Sequence, residues 1–109
     1  KIAAYVSAIT PVNIFYIARK LKGVDLARQA VAGLLNECQV ASIDASVLRA
    51  AAALPLKDYE DAVQLASALH SRLDAIVTRD PNDYASDSLA IFSPSDLLAT
   101  LARAHTGDP

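Results

Sequence analysis

Four short apolar runs, AAYVSAI, QVASI, DAIVT and LAIFS, punctuate this chain. Long stretches of helical character separate the first three and follow the last. Short strands that alternate with helices have no tight turns with which to pair as hairpins. They pair as a parallel sheet with helices packed on it, which defines the α/β class. The expected strands are residues 3–8, 39–43, 74–78 and 89–93. DAIVT, a short apolar run ending in a polar cluster, has the pattern of a buried parallel strand.

The helix signals fall between these runs. Thr10 and Pro11 read as an N-cap and first helical position. Ile14, Ile17, Ala18 and Leu21 recur at helical spacing up to Lys22, and Gly23 suits the residue after a helix end. Asp25 is placed to cap LARQAVAGLLNE, and Asp44 or Ser46 to start a helix that runs through Ala53 before Pro55. A further helix is expected from Asp58 to Ser71. The stretch RDPNDYASDS reads as a loop. Ser93 and Pro94 open a last helix to about Ala102, with residues 103–109 as a flexible tail.

At 109 residues, 53% of them hydrophobic, the chain is one domain with a modest core. The domain is expected over residues 1–102. No apolar run reaches the roughly 18 residues of a membrane span, and no signal-peptide pattern opens the chain. A single cysteine, Cys38, excludes an internal disulfide framework and a cysteine-based zinc site, and reads as a small core residue. A soluble, cytoplasmic protein is expected. The first residue is Lys1 rather than Met, which suggests numbering that starts inside a longer protein.

Charge is unevenly placed. Up to residue 37 the bases Lys1, Arg19, Lys20, Lys22 and Arg28 face only Asp25 and Glu37. From 58 to 87 the balance inverts: Asp58, Glu60, Asp61, Asp74, Asp80, Asp83 and Asp87 against Arg72 and Arg79. The acidic half has the character of a cation site. The basic half suits an anionic partner, or an ordinary solvated face.

The densest acids open the helix LKDYEDAVQLASAL. Asp58 is a strong N-cap residue, and an acid three positions on, Asp61, makes a capping-box-like pair. Acids here also favour the positive end of the helix dipole, by about 0.3–1 kcal/mol each. On a helical wheel Ala62, Leu65, Ala66 and Leu69 form one stripe. Asp58 sits at its entrance, Glu60 opposite in solvent, and Asp61 at its edge, where a carboxylate lines a cleft. Asp61 is therefore the first candidate, Asp58 the second and Glu60 the last. Asp80 and Asp83 in VTRDPNDY follow a strand end, where ligands of open parallel sheets bind, although Asp, Pro and Asn are also ordinary turn residues. Oxygen donors without paired His or Cys suit Mg²⁺ or Mn²⁺ rather than zinc. His70 and His105 have no partner at ligand spacing. Tyr16 and Tyr59 could stack bases, but half-buried packing is the commoner role.

The segment KDYEDAVQLASALHSRLDAIVTRDPNDYASDSLAIFSPSDLL resembles the C-terminal half of a PIN domain. Its order of D-x-E-D-A helix, IVTRD strand, D-[FY] and closing strand with S-P helix is that family's. AAYVSAITPVNIFYIARK resembles the family's preceding strand-then-helix passage, so the resemblance spans residues 3–102. It implies a three-layer fold with a central parallel sheet flanked by helices. It also implies a Mg²⁺- or Mn²⁺-dependent endoribonuclease acting on single-stranded RNA, many relatives being toxins held by an antitoxin protein. Asp61 and Asp80 match catalytic, metal-holding acids; Asp83 and Asp58 match further metal-site acids; Asn13, Ser7 and Arg79 are candidates to contact substrate.

The sequence departs from the family twice. The first strand, with its Asp in a D-x-N-type motif, is absent. Asn13 stands where the family usually has a Glu. These losses suggest weaker metal binding and leave a second reading open, a catalytically weakened protein- or RNA-binding module. A homodimer is one way to cover the sheet edge that a missing strand would leave.

Overall fold

The computed structural model of the chain describes residues 3–84 and 89–106, and the side chains of these up to Arg103. Strand β1 (Tyr5–Ser7) leads to helices α1 (Thr10–Lys22) and α2 (Val24–Glu37), then strand β2 (Gln39–Ala41). Helices α3 (Ala45–Ala52) and α4 (Tyr59–His70) precede strand β3 (Ala75–Val77). A short 3-10 turn (Pro81–Asp83), strand β4 (Ala90–Phe92) and helix α5 (Pro94–Thr106) complete the order. Residues 85–88 of the expected loop, Asp87 among them, lie outside the described residues.

The four strands are those the sequence suggests, each trimmed to three residues. Their pairing is parallel, as the α/β class requires. Tyr5, Val6 and Ser7 oppose Gln39, Val40 and Ala41, and Ala75, Ile76 and Val77 oppose Ala90, Ile91 and Phe92. Among the described residues these are two separate two-stranded ladders, β1–β2 and β3–β4, where one continuous sheet was expected. Helix α4 packs against both β1 and β3 and so holds the two ladders to one body.

Local chemistry sets the helix ends. Helix α1 starts one residue earlier than expected, because Thr10 is not its cap: its hydroxyl is within 3.2 Å of the Ser7 hydroxyl and Ile9 takes the cap position. Gly23 both ends α1 and begins α2 at φ 93°, a conformation that excludes most side chains, so Asp25 falls inside the first turn instead of capping it. Asp44 caps α3, accepting the Val47 N–H at 3.0 Å; that bond holds its carboxyl below the usual carboxylate range. Ser93 caps α5 by accepting the Asp96 N–H at 3.1 Å. Helix α5 runs on to Thr106 rather than stopping at Ala102, since Leu101, Ala102, Arg103 and Ala104 are all good helix formers.

The core is built on α4. One cluster joins it to α3 through Val47, Ala51, Ala62, Val63 and Ala66. The other joins it to the β3–β4 side through Leu65, Ala68 and Leu89. Ser67, fully buried, donates its hydroxyl to the Ser42 carbonyl at 2.8 Å. Helix α4 is thus buried well beyond the single stripe its wheel suggests, because neighbours cover it on several sides. Helix α1 has no buried residue and α2 only Ala27; they pack chiefly on each other as a hairpin. Cys38 is half-buried at the end of α2. No described helix is long and apolar enough to cross a membrane.

Leu65→Ala is expected to cost about 2–5 kcal/mol in urea unfolding, the range for emptying a packed aliphatic site. Ser67→Ala is expected to cost about 1–3 kcal/mol, since it leaves the Ser42 carbonyl without its donor. A loss below 1 kcal/mol for Leu65→Ala would contradict the central place given to α4.

Candidate functional site

The site begins with the backbone of α4. Asp58, in extended conformation, accepts the Asp61 N–H on its carboxylate at 3.0 Å. The cap fixes Asp61 in the first helical turn, half-buried where α4 enters the core. Tyr84 then reaches back from the end of the 3-10 turn and donates its hydroxyl to Asp61 Oδ1 at 3.2 Å. This bond ties the β3–β4 connection to the start of α4.

Electrostatics marks the same spot. Burial pushes the Asp61 carboxyl above its ordinary value. The Tyr84 bond opposes the shift, and the charges of Asp58, Asp83 and Glu60 add to it. The Tyr84 phenol is likewise pushed up, first by burial and then by the Asp61 charge. Asp61 therefore lies in a concentration of negative charge that a cation would relieve.

Each residue singled out from the sequence has a definite place. Asp61 and Asp58 are joined by the cap, and Asp83 acts on Asp61 through its charge. Asp80 is exposed at the head of the 3-10 turn, where its N–H donates to Thr78 Oγ1 at 3.1 Å and its carbonyl accepts the Asp83 N–H at 3.0 Å. The strongest charge effects on Asp61 come from Asp58, Asp83 and Glu60. Ser7 is buried at the end of β1 beside Thr10, and Arg79 is exposed. Asn13 is tied to the acids of α4: its side-chain N–H₂ donates to Glu60 Oε2 at 3.0 Å. Glu60 is exposed, as the wheel suggests, yet this bond brings its carboxylate to the start of α1. Tyr16 and Tyr59 are both more than half exposed, not half-buried, and Tyr59 donates its hydroxyl to the Leu48 carbonyl at 3.0 Å. His70 is exposed beside an open apolar hollow of about 270 Å³ that also includes Ala50, Leu54, Ala66 and Leu69. Sequence reasoning assigned Tyr84 no role; the aromatic of the D-[FY] pair was its only signal.

The donors can be tested against the divalent ion the resemblance implies. Among the described residues, no three of His, Cys, Asp and Glu converge into a group that would hold a metal. Magnesium does not need such a cage. It usually takes one or two carboxylates, keeps several waters and completes its shell with substrate phosphate. Asp61 with Asp58 or Asp83 fits that mode in donor chemistry; the Asp61 carboxyl is raised first by burial and further by the charges of Asp58, Asp83 and Glu60.

Two variants separate capping from charge. Asp58→Ser, which keeps a capping oxygen, is expected to hold stability within a few tenths of a kcal/mol, whereas Asp58→Ala loses about 1 kcal/mol. For Asp61 the sign follows from linkage. The folded state holds its proton more tightly than the unfolded state, so stability falls as pH rises from the ordinary value of 3.8 through the raised one. Asp61→Asn is therefore expected to raise Tm at pH 7, by roughly 1–4 °C, and to lose that advantage at pH 3. A Tm difference unchanged between pH 7 and pH 3 would refute the assigned charge effect.

The comparisons agree with the geometry. No curated protein and no solved structure gives a significant match. A family model described as the PIN domain matches residues 1–82, a span that includes the Asp58–Asp61 cap, Asp80 and the Asn13–Glu60 bond. With three quarters of its length covered by that match and with parallel strand pairs packed against helices, the chain belongs to the PIN domain family.

Proposed function

We propose that this PIN domain, a member of a nuclease-type family, cleaves single-stranded RNA with a bound Mg²⁺ or Mn²⁺ ion. The observation that supports this most is the Asp61 carboxylate, raised by burial and by its neighbours Asp58, Asp83 and Glu60 at the mouth of α4. Neighbouring negative charge of this kind would be relieved by a divalent cation. Asp61 would hold the ion with Asp58 or Asp83, with Asp80 on the adjoining turn. A bound divalent ion supplies an activated water and stabilises charge on a phosphodiester under attack.

The remaining roles belong to the chain itself. Tyr84 fixes the Asp61 carboxylate through Oδ1. Asp58, tied to the α4 backbone, is held in place without side-chain freedom. Asn13 steadies Glu60, so the second carboxylate of the D-x-E-D run faces α1 rather than wandering in solvent. By the same resemblance, the reading extends to a toxin restrained by an antitoxin protein.

The test uses the purified protein with a single-stranded RNA and Mn²⁺. Cleavage is expected to stop in excess chelator and to fall at least 100-fold in Asp61→Asn. Mn²⁺ is expected to raise the Tm of the wild type and not of Asp61→Asn, a readout independent of turnover. Equal cleavage by Asp61→Asn would sink the proposal. RNA binding with no cleavage and no Mn²⁺ shift would favour the binding-module reading, which the neutral Asn13 and the lack of a three-ligand group among the described residues support.

A further inference from the structure

Helix α1 carries a face that the core does not use. Its 13 residues, TPVNIFYIARKLK, contain Arg19, Lys20 and Lys22 and no acid. Tyr16 is 54% exposed. The Arg19 guanidinium lies over its ring, 5.0 Å from the centroid, and Phe15 meets it edge-on at 5.3 Å. Beside the ring lies an open apolar hollow of about 320 Å³, lined by Pro11, Val12, Phe15 and Tyr16 of α1 and Val31 of α2.

The face has a direction. Asn13 and Lys20 are seven residues apart, two turns, and so project the same way to within about 20°, with Tyr16 between them. Its first residue, Asn13, is bonded to Glu60 of the acidic site. From there the face runs about 10 Å to Lys20 at 1.5 Å per residue. That is the length of about three stacked nucleotides at roughly 3.4 Å each.

We propose that the Asn13–Tyr16–Lys20 face of α1, with the hollow beside Tyr16, binds the single-stranded RNA that continues beyond the acidic site. A base stacks on the Tyr16–Arg19 pair or enters the apolar hollow, both of which suit the flat face of any base. Lys20 and Arg19 take the phosphates. The exposed apolar residues Ile17 and Leu21 on the same helix would also suit a protein partner. The charge decides for RNA: an acid-free helix with three bases attracts a polyanion, and its first residues are already tied to the proposed cleavage site. This inference rests on the RNA reading above and adds a specific binding surface to it.

The experiment measures binding alone. A fluorescein-labelled single-stranded RNA of about 12 nucleotides is titrated with the full chain in excess chelator, so cleavage does not contribute. Tyr16→Ala is expected to weaken binding about 5- to 50-fold. Lys20→Ala is expected to weaken it and to reduce the slope of log affinity against log salt by about 0.7, one phosphate contact on a single strand. Arg72→Asn removes the same charge at the far end of α4 and serves as the control; it is expected to change affinity less than 2-fold. Equal losses in Lys20→Ala and Arg72→Asn would overturn the proposal, because binding would then follow net charge alone. So would a Tyr16→Ala protein that binds RNA unchanged, including one whose only altered property is self-association by sedimentation. Cleavage with normal Tyr16→Ala affinity removes this face and leaves the nuclease. Tyr16-dependent binding without Mn²⁺-dependent cleavage keeps the face and removes the nuclease.

Discussion

The Asp58 carboxylate accepting the Asp61 N–H at 3.0 Å sets the first turn of α4, and the placement of α4 determines the rest. This helix is the shared neighbour of α3, β1 and β3. Its buried residues, from Ala62 to Ala68, supply both core clusters. Each three-residue ladder is too small to stand alone, since two-stranded pairs are at best marginal in water. Helices α1, α2 and α5 also pack on them, but among the described helices α4 is the one that contacts both ladders. A cap that shifted by one residue would rotate every α4 side chain by 100° and move Leu65 and Ala66 out of their clusters.

That same cap explains how a crowd of acids is tolerated at the edge of a core. Free N–H groups at a helix start favour negative charge by about 0.3–1 kcal/mol per acid. Asp58 uses the N–H of Asp61 directly. Asp61 gains the Tyr84 hydroxyl, yet burial and three nearby carboxylates outweigh that bond and its carboxyl is held above the usual range. The helix end lowers the cost of the cluster without cancelling it. The remaining repulsion is what a divalent ion would neutralise, so on the proposed reading stability and metal affinity would pull in opposite directions at Asp61.

Much of this was legible in the sequence, and the failures share a cause. The four strands, the parallel pairing, the Asp58 and Ser93 caps and the half-buried, core-edge position of Asp61 all follow from local pattern. The cap at Thr10 failed because Ser7, on the strand before it, draws the hydroxyl away. Asp25 failed because Gly23 turns the chain so sharply that α2 begins two residues earlier. The Asn13–Glu60 and Tyr84–Asp61 bonds span 47 and 23 residues, and no periodicity within one helix could reveal them. The two separate ladders were hidden for the same reason: strand candidates are local, whereas which strands share hydrogen bonds is settled by the helix between them. Family resemblance supplied the acids and their order but not the roles of Asn13, Glu60 and Tyr84, since those depend on who faces whom.

The two unequal halves of the charge distribution can now be seen as one arrangement. The acids gather at the start of α4, and the bases gather toward the end of α1, about 10 Å beyond the Asn13 that is bonded to Glu60. At physiological salt the Debye length is about 8 Å. The rise from Asn13 to Lys20 is thus roughly one screening length, so Lys20 would act on its own part of a bound strand instead of being cancelled by Glu60. On the proposed reading, a phosphate at the acids would be repelled until a cation is present, whereas one about three nucleotides away would be attracted by Arg19 and Lys20. A polyanion would then be held by α1 while a phosphate further along the strand waits at α4, and divalent ion and RNA would each make the site more favourable for the other. The Asn13–Glu60 bond, a single exposed contact of 3.0 Å, is the point at which the two patches are joined.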